Sequence, residues 1–223
     1  YIKKVKIKIF DILKNFKPAF LLLIPQVATQ IYTVLDKSMI GNLATSMDEV
    51  GFYDNSQKII KVGITLVTAM GTVMLPRISN SFSKRENEAI KNNIKNSFLL
   101  VFFISFPIVF GLLAVVDDFV PIFFGNNFLK VAVLIKIISP VILLIGMSNI
   151  LGIQYLLPTK RNKPYILAVI FGAITNVMLN FILIPKFNSM GACIATIAAE
   201  LDKFRQRASS TIGILTQSSA NSS

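Results

Sequence analysis

The sequence predicts an all-α protein, a polytopic bundle of transmembrane helices, and three observations lead to this fold class. Of the 223 residues, 53% are hydrophobic and only 15% are charged, whereas soluble domains average about 25% charged residues. The mean hydropathy is +0.65, and the apolar residues are gathered in long runs without charge. The net charge of +12 lies in short stretches between those runs, as in membrane proteins. We therefore expect no nucleic-acid partner.

The lengths of the charge-free runs predict how many helices cross the membrane. A helix needs about 20 mainly apolar residues to span about 30 Å of hydrocarbon. Five runs approach or reach this length and a sixth is short, at residues 18–35, 62–76, 96–116, 137–159, 164–185 and 187–199. We expect five full spans and a shortened sixth, with helices near 18–43, 50–78, 90–116, 119–157, 163–184 and from about 188. Pro140 predicts a kink in the fourth.

The two ends of the chain differ in composition from the apolar lobe, which we assign to 18–200. Residues 1–17 place apolar side chains at helical spacing among six lysines, which predicts an amphipathic helix on the cytoplasmic membrane surface. A hinge between two lobes of a larger protein is the alternative. Residues 201–223 begin with three basic residues and continue rich in Ser and Thr. This predicts a sixth helix ending near Glu200 and a disordered tail, explained by a frameshift or premature end.

The basic residues also predict the topology. Seventeen of the 23 Lys and Arg residues lie in 1–17, 77–95, 158–164 and the part after Glu200. The alternate loops, near 41–52, 117–130 and 185–190, are acidic or nearly free of bases. Because basic loops stay in the cytoplasm, we expect a multi-pass cell-membrane protein with both termini cytoplasmic.

Polar residues inside the first two spans fall on single helical faces. The members of these two stripes are spaced three or four residues apart, namely Gln26, Gln30, Thr33 and Lys37 in the first and Asp54, Lys58, Lys61, Thr65, Thr68 and Thr72 in the second. Since polar groups are costly in hydrocarbon, the stripes predict a water-filled cavity. The alternative is hydrogen bonding between helices, with Lys37 and Lys58 reaching outward.

Several chemistries are absent from the sequence. It has no histidine and one cysteine, Cys193, so a His/Cys metal site is excluded. It has no phosphate-binding glycine loop and no nucleophile elbow. We therefore expect no enzymatic activity, no metal and no cofactor.

Five stretches, taken in order, carry a resemblance to a known family: LDKSMIG at 35–41, VGFY at 50–53 with QKI at 57–59, VMLPRIS at 73–79, LNFILIP at 179–185, and the pairs at 191–192 and 195–196. They resemble the C-terminal half of polysaccharide or oligosaccharide repeat-unit flippases, in the multidrug/oligosaccharidyl-lipid/polysaccharide exporter superfamily. The resemblance implies one lobe of a MATE-like, V-shaped fold built from two six-helix lobes, the first lobe being missing here.

The resemblance also implies a function. Such a protein moves undecaprenyl-diphosphate-linked repeat units across the bacterial cytoplasmic membrane for capsule or exopolysaccharide synthesis. Its partners would be the lipid-linked oligosaccharide, membrane lipids, and the missing N-terminal lobe or polymerase machinery. The alternatives are a peptidoglycan-precursor or drug exporter of the same fold, and a truncated remnant that does not transport.

The polar stripes supply the candidate site for transport by alternating access. We expect Lys58 and Lys61 to pair with the diphosphate. The neutral side chains of the first stripe would bind sugar hydroxyls, namely Gln26, Gln30 and Thr33. Asp36 with Lys37 would form a gate pair, and Asp54 would belong to the same gate. An ion gradient or removal of the product would supply the driving force.

Overall fold

The computed structural model describes residues 9–84 and 86–220, without the side chains of residues 9–22, 24, 26, 70 and 214–220. Within these residues the chain is helical and contains no strand. Its helices are α1 (Ile9–Leu43), α2 (Asp48–Ser83), α3 (Asn87–Phe124), α4 (Leu129–Ile138), α5 (Val141–Asn149), α6 (Asn162–Phe187) and α7 (Ser189–Ala220). A 3₁₀ turn, Asn126–Phe128, precedes α4, and a π-helix, Ile150–Leu156, continues α5. The predicted all-α class is confirmed.

Several helices are suited to a bilayer. Among the described residues α2, α3 and α6 are long and apolar enough to cross it, and α4 with α5 makes a fourth span if the bent pair is counted as one. The apolar part of α1 includes positions whose side chains are not described. The multi-pass membrane character predicted from composition is confirmed.

The bend predicted at Pro140 is present. The two segments on either side of it, α4 with its preceding turn and α5 with the π-helix, meet at 42°. Proline has no N–H group, so the carbonyl four residues earlier loses its helical donor. That carbonyl belongs to Lys136, and the Ser139 hydroxyl donates to it at 3.2 Å.

The predicted boundary between the third and fourth helices is wrong. We expected α3 to end at 116 and an acidic loop to cover 117–130, but α3 continues to Phe124 and α4 begins at Leu129. Asp117 does not end the helix because its carboxylate pairs with Lys136 of α4 at 2.6 Å. The helix ends at Gly125, whose φ of +91° lies in the region that favours glycine.

The prediction for the C-terminal segment is also wrong over the described residues. Instead of ending near Glu200 and giving way to a disordered tail, α7 continues to Ala220. One of its faces is buried at every third or fourth position, at Thr196, Glu200, Lys203, Arg207 and Thr211. The basic residues do not end the helix because they have buried partners: Lys203 pairs with Glu200 of α7 and donates to Tyr32 of α1, and Arg207 donates to Ser148 of α5. Residues 221–223 lie outside the description.

The N-terminal prediction is testable only in part. Residues 1–8 lie outside the description, and 9–17 form the beginning of α1 without interruption. Over 9–17 the segment is therefore continuous with the first predicted span rather than a separate helix.

The main core lies between α2, α3, α4, α5 and α7. Its fully buried members are mostly β-branched aliphatic side chains, among them Ile60, Val67, Ile135, Ile138 and Ile142. Outside this core, α6 packs along α7, and α1 packs mainly on α6 with fewer contacts to α2. This arrangement leaves one face of α1 and one face of α2 uncovered by the rest of the chain.

Candidate functional site

The two polar stripes lie on the uncovered faces of α1 and α2. Gln30 and Thr33 are exposed on α1, and Lys58, Lys61 and Thr65 are exposed on α2. The Gln26 side chain lies outside the described residues. The threonine hydroxyls donate to their own helices, Thr33 to the Thr29 carbonyl and Thr65 to the Lys61 carbonyl, each at 2.8 Å. These threonines therefore do not join neighbouring helices, which disfavours the alternative in which the stripes only hold helices together.

Three charged side chains connect the stripes where α1 and α2 approach each other. The Asp54 carboxylate pairs with Lys37 through Oδ1 and with Lys58 through Oδ2, at 2.9 Å for the second pair. We call Lys37, Asp54 and Lys58 the Lys–Asp–Lys triad. All three side chains are partly open to solvent, at 41%, 30% and 66%. Lys61 follows Lys58 by one turn and forms no ion pair among the described residues. Together, the Lys–Asp–Lys triad and Lys61 therefore carry more positive charge than the Asp54 carboxylate neutralises.

The structure does not bring together Asp36 and Lys37, the predicted gate pair. Consecutive residues on a helix point about 100° apart. Lys37 consequently faces Asp54 on α2, whereas Asp36 turns toward α6 and is only 2% exposed. Of the three predicted gating residues, the structure brings together Lys37 and Asp54 and separates Asp36 from them.

Asp36 belongs to a second, buried polar group. Its Oδ1 accepts from Asn180 Nδ2 at 2.6 Å, and its Oδ2 accepts from the Tyr53 hydroxyl at 3.1 Å. Tyr53 also meets the Thr196 hydroxyl at 3.3 Å, and Asn180 donates to Asn176 at 3.2 Å. We call these residues of α1, α2, α6 and α7 the Asp36 cluster: Asp36, Tyr53, Asn176, Asn180 and Thr196.

The Asp36 cluster has the chemistry of a site for a proton or a small cation. The Asp36 carboxylate has no cation in ion-pair distance among the described residues, and the Asn180 side-chain oxygen has no hydrogen-bond partner. A single carboxylate among neutral oxygens suits a monovalent charge better than a transition metal. The described residues contain no group of three or more His, Cys, Asp or Glu side chains placed to hold a metal.

Sequence reasoning missed most of this cluster. Gly172, Asn176 and Asn180 form a seam at intervals of four residues on α6, a pattern typical of close packing between membrane helices. The signal that could have located the cluster is the coincidence of this seam with Asp36, an acid beside the polar stripe of α1. Tyr53 and Thr196 carry no such signal in the sequence.

A buried charged contact joins α1 to α7 beside the Asp36 cluster. Lys203 Nζ donates to Glu200 Oε1 at 2.6 Å and to the Tyr32 hydroxyl at 3.1 Å. The Tyr32 hydroxyl in turn donates to Glu200 at 3.2 Å, and Lys203 lies 4.3 Å from the centre of the Tyr32 ring. This arrangement satisfies the ammonium group through a carboxylate, a hydroxyl and an aromatic face.

Arg207 is buried one turn further along α7. Its Nη1 donates to the carbonyl and to the hydroxyl of Ser148 in α5, both at 2.8 Å. Its guanidinium carbon lies 4.7 Å from the centre of the Tyr165 ring. Ser148 lies two residues before the π-helix, so the guanidinium binds the backbone close to the point where the hydrogen-bond pattern changes from α-helical to π-helical.

A third charged contact closes the end of the bundle that contains the α1–α2 connection. The Glu49 carboxylate accepts from Lys130 of α4 through Oε1 and from the backbone N–H of Ser189, at 3.2 Å, through Oε2. The Ser189 hydroxyl also donates to Oε2. We call Glu49, Lys130 and Ser189 the Glu49 clasp. It ties the first turn of α2 to the first turns of α4 and α7.

Comparison with known proteins gives consistent results. The sequence model of a family described as "Polysaccharide biosynthesis protein" matches residues 3–133. A Haloferax volcanii protein described as "Probable low-salt glycan biosynthesis flippase Agl15" is 27% identical over 167 residues, which cover 74% of this chain and 34% of that protein. A "Putative O-antigen transporter" of Escherichia coli strain K12 is 24% identical over 200 residues, covering 90% of this chain and 48% of that protein.

A solved structure has a similar fold. Lipid II flippase MurJ in an inward closed conformation superposes with a TM-score of 0.74 at 20% sequence identity, over 94% of this chain and 46% of that one. This likeness, with that to a MATE structure at a TM-score of 0.73, confirms the expected fold, one lobe of the MATE-like architecture. The chain spans about a third to a half of the length of these relatives. Their names are those of flippases and transporters rather than enzymes, in agreement with the sequence analysis.

Proposed function

The chain belongs to the family of polysaccharide biosynthesis proteins, and from this we propose that it forms one lobe of a flippase for lipid-linked oligosaccharides. The proposed substrate is an undecaprenyl-diphosphate-linked repeat unit for capsule or exopolysaccharide synthesis. The proposed location is the bacterial cytoplasmic membrane, with both termini in the cytoplasm. The partners are the substrate, the surrounding lipids, and a second lobe or the polymerase machinery.

One observation supports this proposal most strongly. The Lys–Asp–Lys triad and Lys61 form a cationic patch on faces of α1 and α2 that the chain itself leaves uncovered. A charged side chain in a membrane segment is costly unless it pairs or lines a polar cavity. A second lobe facing these helices would enclose such a cavity, and a diphosphate would complement its excess positive charge.

The lysines of the patch and the neutral polar side chains of α1 would bind different parts of the substrate. Lys58 and Lys61 pair with the diphosphate, since an ammonium group placed near a phosphate gains more in a site of low dielectric than in water. Gln26, Gln30 and Thr33 follow on α1 and supply amide and hydroxyl groups to sugar hydroxyls. The lipid tail stays in the bilayer while the head group crosses through the cavity.

The triad itself takes over the gating role first assigned to Asp36 with Lys37. Lys37 and Asp54 join α1 to α2 near their connection, and a diphosphate that binds Lys58 competes with Asp54 for the same ammonium group. Because Lys58 lies on α2 with Asp54, its release leaves Asp54 to pair with Lys37 alone among the described cations, which strengthens the link between the two helices. Substrate binding and the movement of α1 relative to α2 are thereby coupled.

The Asp36 cluster provides a binding site for the ion that would drive transport. A proton or monovalent cation that binds Asp36 would remove the uncompensated charge between α1 and α6. Because the cluster also includes Tyr53 and Thr196, its rearrangement would be felt by α2 and α7. We propose that an ion gradient acts through this cluster.

The decisive experiment replaces Lys58 and Lys61 with glutamine in the complete transporter in its own cells. We expect a large loss of surface polysaccharide, accumulation of the lipid-linked repeat unit, and an unchanged amount of protein in the membrane. The matched control replaces Lys84 and Lys95, which are exposed and outside the stripes, and should retain normal polysaccharide. Normal polysaccharide in the Lys58 and Lys61 variant would overturn the diphosphate site.

A second candidate substrate is supported by the superposition on a lipid II flippase. A peptidoglycan precursor of the same chemical class would offer the same diphosphate to Lys58 and Lys61. The two substrates differ in their sugars, so competition between lipid-linked head groups in reconstituted vesicles separates them. A drug exporter of the same fold is less well supported, because Asp36 is buried away from the uncovered face. A remnant without transport would show no effect of the lysine variants on any substrate.

A further inference from the structure

A groove between α6 and α7 combines unpaired basic side chains with an apolar wall. It encloses a cavity of about 570 Å³. Its polar members are Lys163 at the start of α6 and Arg205, Gln206, Ser209 and Ser210 on α7, and its apolar wall includes Leu167 and Phe171. We call it the basic groove. None of these residues belongs to the polar stripes or to the Asp36 cluster.

The positive charge of the groove is not neutralised by the protein. Among the described residues neither Lys163 nor Arg205 forms an ion pair. The nearest acid along α7, Asp202, accepts from the neutral donors Thr175 at 3.2 Å and Gln206 at 3.0 Å and forms no ion pair among the described residues. The Lys163 ammonium and the Arg205 guanidinium are therefore available to bind an anionic ligand.

The hydroxyl groups in the groove are also available. Within the part of the chain that the structure describes, neither Ser209 nor Ser210 makes a side-chain hydrogen bond. Serine in a helix often donates back to a carbonyl of the preceding turn, as the threonines of α1 and α2 do here. Two free hydroxyls beside two cations suit a ligand with several acceptor oxygens.

From helix lengths we expect the groove to lie near the depth of lipid head groups. Arg205 and Ser210 follow the start of α7 by about 24 and 32 Å, at 1.5 Å per residue, and the hydrocarbon is about 30 Å thick. Lys163 lies in the first turn of α6, the helix that runs alongside α7. Both helices therefore bring basic residues to one bilayer surface, the one that the charge distribution predicts to be cytoplasmic.

From these observations we infer that the basic groove binds an anionic phospholipid of the surrounding leaflet. The phosphate of the head group lies between Lys163 and Arg205 and accepts from Ser209 and Ser210. The acyl chains run along the exposed side chains of Leu167 and Phe171, which are 51% and 50% open. Basic pockets between transmembrane helices are suited to anionic head groups for the same electrostatic reason. The inference is independent of the proposed transport substrate.

The test measures lipid binding to the purified full chain by native mass spectrometry, with phosphatidylglycerol or phosphatidylcholine as the added lipid. We expect retention of phosphatidylglycerol over phosphatidylcholine. In the variant Lys163→Gln/Arg205→Gln the affinity for phosphatidylglycerol should fall by about 30-fold, the effect of two basic groups near an anionic surface. The control Lys84→Gln/Lys95→Gln removes the same charge elsewhere and should bind normally.

Three results would overturn the inference. Equal retention of phosphatidylcholine would show that the head-group charge is not recognised. An equal loss of binding in the control would reveal diffuse attraction to net charge. Displacement of the lipid by millimolar inorganic phosphate would indicate a site for the free anion instead.

A second measurement does not depend on the folding of any variant. In the unchanged protein, phosphatidylglycerol with a photoreactive group near its glycerol should attach to peptides containing Leu167 or Ser209. Attachment only to other helices would overturn the site.

Discussion

Lys203 and Glu200 form an ion pair of 2.6 Å in which both side chains are about 95% buried. The two residues are separated by one turn of α7, and Tyr32 of α1 contacts both. The segment after Glu200, which the sequence predicts to be a disordered tail, is thus packed in the bundle through this ion pair and its contacts with Tyr32.

The ion pair leads to a prediction about stability. Glu200→Gln leaves the buried ammonium group of Lys203 without its carboxylate, and loss of one partner of a buried pair costs about 3–5 kcal/mol. We expect a marked fall in the melting temperature of the purified protein. The double variant Glu200→Gln/Lys203→Met should recover part of this loss, since it removes both charges. Equal stability of the single variant and the unchanged protein would contradict the burial of the pair.

A second prediction concerns the close approach of α6 and α7 at Gly191. A Cβ atom placed there would lie 2.4 Å from the backbone oxygen of Leu183 and 2.9 Å from the backbone nitrogen of Ile184. Backbone atoms cannot move aside as a flexible side chain does, so Gly191→Ala should destabilise the protein by about 1–3 kcal/mol. The control is Gly111→Ala on α3, where nothing lies within 4 Å. In the control, the higher helix propensity of alanine should raise the melting temperature or leave it unchanged.

A third prediction separates the function of the Asp36 cluster from its structural role. Asparagine at position 36 carries no charge, keeps one oxygen that accepts from Tyr53 or Asn180, and offers an amide N–H to the Tyr53 hydroxyl or to the Asn180 oxygen, so Asp36→Asn should fold and reach the membrane. Transport coupled to an ion gradient should nevertheless fall by about tenfold or more, because ionisable side chains buried in membrane segments usually have a role in function. Asp48→Asn, an exposed acid on the first turn of α2, is the matched control. Transport at the normal rate in Asp36→Asn would remove the cluster from the coupling mechanism.

A fourth prediction tests the orientation in the membrane. Ser46→Cys lies in the α1–α2 connection and Asn162→Cys lies at the opposite end, at the start of α6. The native Cys193 is buried, so it should not react with a membrane-impermeant maleimide in either variant. In intact cells we expect labelling of position 46 and none at position 162 until the membrane is opened. Labelling of both positions from the same side would contradict the topology.

The sequence was sufficient for the helices whose apolar runs are long and uninterrupted. The bend at Pro140 was also predictable, because the missing N–H group of proline acts locally. The extension of α3 was not, because Asp117 is accommodated by Lys136 on another helix. The correct predictions depend on local causes, whereas the error depends on a contact with another helix.

The C-terminal half of α7 shows the same limit more clearly. Lys203 and Arg207 suggest a helix end when each is assessed alone. Their partners Tyr32 and Ser148 lie 171 and 59 residues away in the chain. The site divides in the same way: the exposed stripes follow from helical spacing, whereas the position of Asp36 depends on which neighbour α1 packs against.

The Glu49 clasp has a mechanical consequence for a chain of this shape. It pins the first turn of α2 to α4 and α7, and α2 also packs on α3, α4 and α5 in the main core, so a tilt about the pinned end would carry these helices together. The helix has 36 residues, and at 1.5 Å per residue it is about 54 Å long. A tilt of only about 10° about the pinned turn would move the opposite end by about 9 Å. Small rearrangements near Lys37 and Asp54, close to the pinned end, would in this way give a wide displacement at the far end of the bundle.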